Sequence, residues 1–448
     1  KERPILVNNW EATSFNIDHK TVVSMAKVAA RLGAELFVLD DGWFGERSND
    51  HRALGDWTVN AKKLPKGLRG LGDEVRALGL DFGLWVEPEM VNRDSDLYRA
   101  HPDWAITVPG RTPSEGRQQL VLDLSRPEVR DHLVEVIGAA IDEAGATYVK
   151  WDCNRNLSDL FSPACAPGEL GHRVILGLYE VLGRIFGERP HILLESCASG
   201  GNRFDLGMLC FSPQIWTSDN TDPIERLDIQ FGLSHLYPPS TMGAHVAASP
   251  SMQTLRRTPI STRFNVAAFG LLGYELDPRR LTPGERREVR AQIAFYKAHR
   301  RRMQYGRLIR LVTEDERVVV AVSDDGGAVV GDFQRGASAA RPPRDLPLPE
   351  LDAGERYRVR AREQTIDLSS FGHLIEHVLP LPIRSDGLIM REITKRKRFP
   401  DGEEVYEGTG AALAALRLAP QFEGTGAHEG MRALGDFGSR LYVVERVE

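Results

Sequence analysis

The sequence predicts an α/β protein, a (β/α)8 TIM barrel over residues 1–305 followed by a small antiparallel all-β sandwich domain over residues 306–448. Over about 300 residues, short apolar runs alternate with amphipathic segments, the pattern of repeated βα units around a parallel sheet. Eight such runs can be counted, which fits a closed barrel, with a doubly wound open sheet as the main competitor. After Arg300, Arg301 and Arg302 helical periodicity nearly vanishes and short β-type segments take over.

The strands are expected at Ile5 to Trp10, Leu36 to Asp41, Phe82 to Pro88, Tyr148 to Asn154, Ile192 to Cys197, Ile215 to Asn220, Thr241 to Val246 and, less distinctly, within Gly270 to Leu276. Between them lie helices with readable ends. Asp18 can cap one that carries Val22, Ala26, Ala29 and Leu32, and Gly33 stops it. Pro127 opens a second with Val129, Leu133, Val136, Ile137 and Ala140 on one face, ending near Gly145. A third runs through Val174, Leu178, Val181, Leu182 and Ile185 to Gly187. The later β-type segments are Leu308 to Val312, Val318 to Val322, Ala328 to Phe333, Tyr357 to Arg362 and Leu441 to Val447, with the Pro-rich stretch Arg341 to Glu350 as a loop among them.

A chain of 448 residues with 42% hydrophobic side chains can bury a core. No stretch approaches the ~18 consecutive apolar residues of a membrane span, so no membrane role is expected. A net charge of −6 argues against nucleic acid, whose binding needs clustered basic residues. Cys153, Cys165, Cys197 and Cys210 show no CxxC pairing and are too sparse for a disulfide framework or a zinc site, which favours a reducing, cytoplasmic setting. Because the sequence begins at Lys1, just ahead of the apolar run Ile5, Leu6, Val7, it is expected to be a fragment of a longer chain.

A barrel builds its site where strands end, and here the expected strands end in carboxylates: Asp40 and Asp41, Glu87, Asp152, Glu195 and Asp219. Any one of them could simply cap the next helix. Trp10, Trp43, Trp85, Trp151 and Trp216 lie beside these ends, however, and aromatic faces with carboxylates that accept hydroxyl protons are what binds a pyranose. In Tyr148-Val-Lys-Trp-Asp-Cys-Asn154, strand alternation puts Lys150, Asp152 and Asn154 on one face and Val149, Trp151 and Cys153 on the other. A lysine beside Asp152 keeps that carboxylate ionised, which suits a nucleophile, although a structural ion pair would look the same. Trp216-Thr-Ser-Asp-Asn220 brings a second acid to the rim, and a glycosidase needs two. A metal-dependent hydrolase using Asp40, Asp41 and Glu87 is the weaker reading, since no HxH or HxxxH spacing accompanies them.

Five ordered segments, Leu39-Asp-Asp-Gly-Trp-Phe-Gly45, Gly83-Leu-Trp-Val-Glu-Pro-Glu-Met90, Lys150-Trp-Asp152, Glu195-Ser-Cys-Ala-Ser-Gly-Gly201 and Trp216-Thr-Ser-Asp-Asn-Thr-Asp222, resemble the bacterial α-galactosidases of glycoside hydrolase family 36. Gly435-Asp-Phe-Gly-Ser-Arg-Leu-Tyr442 extends the resemblance to the end of the chain. It implies a retaining α-galactosidase acting on raffinose-type or melibiose-type sugars, with Asp152 as nucleophile and Asp219 as acid/base. It further implies that Asp40 and Asp41 bind the galactose hydroxyls at carbons 4 and 6. Lys150 and Arg117 would hold further hydroxyls, Trp85 would stack near the sugar, and Cys197 with Gly200 would shape the pocket at O2. Asn154 is a further binding candidate. No metal and no cofactor are implied, the partner is the α-galactoside itself, and a homo-oligomer is compatible with the family. The family's longer members carry a large N-terminal β-sandwich, whereas this sequence is expected to open at barrel strand one. An α-N-acetylgalactosaminidase, an α-galactosyl transferase on the same scaffold and a non-catalytic sugar-binding barrel stay open as alternatives.

Overall fold

All eight apolar runs become strands, seven of them shorter than the run and the seventh in order, Met242–Ala247, of equal length and shifted by one residue. In the computed structural model, which describes residues 2–336, 345–367, 371–373, 376, 384–396, 398–418 and 434–447, they are β1 (Leu6–Asn8), β2 (Leu36–Leu39), β3 (Asp81–Val86), β6 (Tyr148–Trp151), β7 (Leu193–Ser196), β8 (Gln214–Trp216), β9 (Met242–Ala247) and β10 (Leu271–Glu275). They pair in parallel and close into a barrel in the order β1-β10-β9-β8-β7-β6-β3-β2, so the open-sheet alternative falls away. Two further strands before residue 306, β4 (Met90–Asn92) and β5 (Gln119–Val121), form an antiparallel hairpin between β3 and the helix Pro127–Ala144. The runs outlast the strands because side chains take over the backbone donors at the rim. After Trp151, for example, the N–H of Cys153 bonds Asp152 Oδ1 at 2.8 Å and the N–H of Asn154 bonds Glu87 Oε1 at 2.6 Å.

Strand alternation sorts the side chains into two layers. Ile5 and Val7, Phe37 and Leu39, Val149 and Trp151, Ala244 and Val246 face outward into the main core beneath the helices. Leu6, Leu36, Val38 and Tyr148 face inward and form a small apolar plug in the barrel. Above the plug the interior turns polar, with Gln214 Nε2 donating to Tyr148 Oη at 2.8 Å and to Glu195 Oε2 at 2.9 Å. Space for the large inward residues comes from glycines. A Cβ on Gly273 would stand 2.4 Å from the His245 ring, and one on Gly243 would stand 3.0 Å from Trp216.

The three helix ends read from the sequence are realised. Asp18 accepts from the Thr21 N–H to cap His19–Leu32, and Gly33 leaves it at φ +99°. Pro127 opens Pro127–Ala144, and Gly145 closes it at φ +57°. The third helix spans Leu170–Gly187. Among the described residues no helix is long and apolar enough to cross a membrane.

The last barrel helix, Pro283–Tyr305, leads into strand Arg307–Thr313, the edge of a six-stranded antiparallel sheet. Across that sheet follow Arg317–Asp324, Gly327–Gln334, Ser439–Arg446, Arg356–Ala361 and Val405–Thr409. Arg317–Asp324 reads as a continuous apolar run because both faces are covered: Val318, Val320 and Val322 join the main core, while Val319 and Ala321 pack with Leu346, Leu413 and Leu416. Of the expected loop Arg341 to Glu350, Arg341 to Arg344 lie outside the described residues.

One helix position gives a sign test of this packing. An alanine for glycine inside a helix normally stabilises by about 1 kcal/mol. Gly177 lies in Leu170–Gly187, and a Cβ there would stand 2.1 Å from the Leu124 carbonyl oxygen. Gly177→Ala is therefore expected to lower the urea midpoint of unfolding; a raised midpoint would show that the helix does not seat on Leu124 as described.

Candidate active site

The ends of the barrel strands converge on one cavity. Trp10 and Glu11 enter it after β1, Asp40 and Asp41 after β2, and Trp85 from β3. Lys150, Asp152 and Asn154 come from the end of β6, Trp216 and Asp219 from β8, and Glu275 from β10. Arg117 reaches in from the β4–β5 connection, and Thr221, Met252 and Gln253 from two further loops. Eight of the ten residues to which the sequence analysis gave a catalytic or sugar-binding role thus meet in one place. Cys197 and Gly200 stand behind the wall instead: the Cys197 thiol hydrogen-bonds the Asp152 carboxyl, and Gly200 presses on the Asp219 backbone.

Lys150 Nζ donates to Asp40 Oδ2 at 2.9 Å, so its hydrogen bond goes across the barrel to β2 while its charge also reaches Asp152. Asn8 Nδ2 bonds the same Asp40 oxygen at 2.7 Å, and Asn9 Oδ1 takes the Asp40 N–H at 2.8 Å. Asp152 collects donors: Trp85 Nε1 at 3.1 Å and Asn154 Nδ2 at 2.8 Å on Oδ2, with the Cys153 N–H on Oδ1. Burial alone would push this carboxyl up. The Lys150 charge and the bonds from Cys197, Asn154 and Cys153 outweigh it and hold Asp152 below the usual carboxylate range.

Asp219 goes the other way. Burial raises it and the facing Asp152 charge adds to that, while Lys150 and a 2.9 Å bond from Trp216 Nε1 to Oδ1 only partly offset them. Two carboxyls on one cavity are thereby pushed apart, one towards its ionised form and one towards its protonated form. Two acids absent from the sequence reading join them. Glu11 and Glu275 are each raised to about 7, chiefly by burial. Glu275 Oε2 lies 2.9 Å from His245 Nδ1, and burial drops that imidazole to about 3, so it is neutral.

Several expectations are corrected. Glu87 and Glu195 end strands but do not line the cavity: Glu87 is sealed under the β4–β5 hairpin, accepting from Gln119 Nε2 at 3.1 Å and raised to about 8 by burial. Glu195 bonds Gln214 below the cavity floor. Trp43 and Trp151 are not sugar platforms. Trp43 packs among Phe44 and Trp57 and donates to the Trp85 carbonyl at 2.9 Å. Trp151 sits in the helix layer against Phe186, its Nε1 2.8 Å from Glu89 Oε1. Trp151 has the wrong parity in β6, which its position one residue from Asp152 already signals.

Asp41 is also less free than a rim position suggests. Arg47, fully buried, grips it with Nη2 at 2.9 Å from Oδ2 and Nε at 3.1 Å from Oδ1. Burial works against the Arg47 charge, and Asp41, with Glu87 and Asp50 adding to it, more than restores it. Asn92 completes the clamp: its Oδ1 accepts from Arg47 Nη1 and the Leu54 N–H, and its Nδ2 donates to the Asp50 and Gln118 carbonyls. That last bond holds the turn in which Arg117 and Gln118 adopt φ +51° and +60°, left-handed values that a non-glycine residue takes only when its surroundings enforce them. Neither Arg47 nor Asn92 lies at a barrel-strand end, so the sequence reading had no reason to select them. Among the described residues no three or more His, Cys, Asp and Glu side chains are arranged to hold a metal ion.

A family profile, melibiase, matches residues 1–306. The chain belongs to the melibiase family. It is 49% identical over 398 residues to the α-galactosidase AgaA of Geobacillus stearothermophilus, covering 87% of this chain and 54% of that protein. It is likewise 49% identical over 312 residues to the α-galactosidase Mel36A of Lactobacillus acidophilus, covering 69% of this chain and 43% of that one. The crystal structure of the Geobacillus enzyme, named as a family 36 α-galactosidase, superposes with a TM-score of 0.85 over 100% of this chain and 56% of its own, at 43% identity. A Lactobacillus brevis α-galactosidase structure gives 0.85 at 39% identity, again over 100% of this chain and 55% of its own. The chain thus spans about half the length of these melibiase-family relatives.

The Arg47–Asp41 pair changes what is expected of a substitution there. A rim carboxylate would leave stability alone, whereas removing one partner of a buried ion pair costs about 3–5 kcal/mol. Asp41→Asn should lose stability on that scale in urea unfolding, and adding Arg47→Met should recover most of it. No loss in the single variant would place the Arg47 charge in water.

Proposed function

We propose that this chain carries the active site of a retaining α-galactosidase, which removes terminal α-linked galactose by double displacement. The observation that carries the reading is that Asp152 and Asp219 line one cavity and are shifted in opposite directions, Asp152 downward by the Lys150 charge and its donors and Asp219 upward by burial: a carboxyl that ionises more readily suits the nucleophile and one that holds its proton more firmly suits the general acid. Asp152 attacks the anomeric carbon to form a galactosyl ester while Asp219 protonates the departing oxygen. Asp219, now ionised, then takes a proton from the water that opens the ester. Asp40 and Asp41, held by Lys150 and by Arg47, present fixed acceptors to the hydroxyls at carbons 4 and 6. Lys150, Arg117 and Asn154 bond further hydroxyls, and Trp85 offers the ring face. Cys197 and Gly200 act at the O2 side by supporting the two carboxyls from behind.

The relatives favour this substrate class: a Geobacillus enzyme variant is known in complex with raffinose and another with stachyose. Residues 1–305 would hold the chemistry, with residues 306–448 as a separate all-β unit braced on the barrel helices. Four free cysteines, Cys153, Cys165, Cys197 and Cys210, fit a cytoplasmic setting.

Asp152→Ala is expected to abolish turnover of aryl and natural α-galactosides alike, and azide should restore part of the aryl rate with inverted product, because a small anion can replace the missing nucleophile. Near-wild-type activity would remove Asp152 from the mechanism. Asp219→Ala should split by leaving group: natural galactosides, whose alkoxide needs a proton, fall by about 10²- to 10⁴-fold, and aryl galactosides far less. Equal losses on the two substrates would count against the acid role.

A further inference from the structure

The loop that carries Asp219 is fastened from below and from the side. Arg226, buried in the helix Pro223–Leu233, donates to the Ser218 carbonyl at 2.6 Å and to the Asn220 carbonyl at 2.8 Å, the residues flanking Asp219. Its third donor reaches the Gly243 carbonyl of β9 at 3.1 Å. Gly200 closes the other side so tightly that a Cβ on it would stand 2.7 Å from Ser218 Cα and 2.9 Å from the Asp219 nitrogen. These contacts fix the backbone and leave the rotation of the carboxyl group, which the bond from Trp216 Nε1 to Oδ1 then restrains.

The indole that makes this bond is itself closely packed. It is 2% exposed. The His245 ring lies against it at 4.2 Å between centroids and 33°, and the Arg226 guanidinium lies 4.5 Å from its ring centre. Gly243 leaves the room in which it sits.

We infer that Trp216 is the positioning residue of the Asp219 carboxyl, holding Oδ1 as an acceptor so that the transferable proton resides on Oδ2. The inference rests on the acid/base reading of Asp219. An indole N–H can only donate, and a carbonyl oxygen accepts better than a carboxylic hydroxyl oxygen, so the bond selects which oxygen carries the proton. The same bond favours the ionised form, as the second half of the reaction requires of a base. The other charged or titratable groups that act on Asp219 are Lys150 and Asp152 at β6, Arg117 from the hairpin, Cys197 after β7, Glu275 at β10 and Arg226 beneath it. Arg226 also lies over the Trp216 ring, so the replacement that removes the N–H and keeps both rings is the one that isolates the bond.

Two replacements test it: Trp216→Phe, and Trp216 exchanged for β-benzothienylalanine, which keeps the two-ring shape with sulfur in place of the N–H and stands in if the Phe variant fails to fold. Losing the donor makes Asp219 harder to ionise, so the alkaline limb of kcat/KM should move to higher pH. Natural galactosides should lose about tenfold more rate than aryl galactosides. An unmoved limb with equal losses on both substrates overturns the inference. A readout independent of turnover is the set of indole ¹⁵N–¹H signals from the seven tryptophans. The one missing in Trp216→Phe should titrate with pH and cease to do so in Asp219→Asn; a Trp216 signal indifferent to Asp219→Asn refutes the bond. If Asp219→Ala shows no leaving-group split, the acid role itself fails. A clear split there with an unmoved limb in both Trp216 replacements rejects the positioning role alone.

Discussion

The Lys150 ammonium, buried in the barrel 2.9 Å from Asp40 Oδ2, acts on several of the titratable groups in and behind the cavity wall. It pulls Asp152, Asp219 and Glu275 towards ionisation and opposes protonation of His245. Burial would strip its proton. Asp40 is the main opposing charge, with Cys197, Glu275 and Asp152 adding to it, and together they hold Lys150 well above its ordinary value. The pairing across β2 and β6 therefore keeps a positive charge in place under a crowd of carboxyls that would otherwise repel one another.

Keeping that charge requires a barrel whose interior is polar for much of its height, and the apolar stabilisation has to come from elsewhere. It comes from the outward strand faces under the helices, where Val149, Trp151, Phe37 and Leu39 pack, and from one face of the C-terminal sheet. Glycines at Gly83, Gly243 and Gly273 let Tyr148, Trp216 and His245 cross the interior without splitting the strands. The C-terminal sheet thus braces the barrel from outside while the inside is given over to the cavity.

The sequence carried the barrel clearly because buried parallel strands read as apolar runs, and because most of the eight runs carried a carboxylate at or near their ends. It overstated strand length wherever side chains captured the rim amides, as at Asp152 and Glu87. Parity explains most of what was misjudged. Trp151 and Lys150 are neighbours in sequence but face opposite layers, so a tryptophan beside a catalytic candidate was no evidence for a sugar platform. Glu275 was within reach of the same rule that found Asp152, but the eighth strand was indistinct and its terminal acid went unread. Arg47 and Asn92 were beyond reach, since their partners Asp41 and Gln118 meet them only through loop folding.

The asymmetry between the two carboxyls follows from donor count within one shared field. Asp152 has a cation nearby and four donors, from Trp85, Asn154, Cys153 and Cys197, whereas Asp219 has the Trp216 N–H and faces the negative charge of Asp152. That charge is itself part of the proposed chemistry. When Asp152 becomes an ester in the proposed intermediate, its charge disappears and one of the causes raising Asp219 disappears with it. Burial, Lys150 and Trp216 remain, so the group that gave up its proton in the first step meets the second in surroundings less opposed to its ionised form than before. A single residue can then serve as acid and as base in turn, because the covalent step on its neighbour resets the field it sits in.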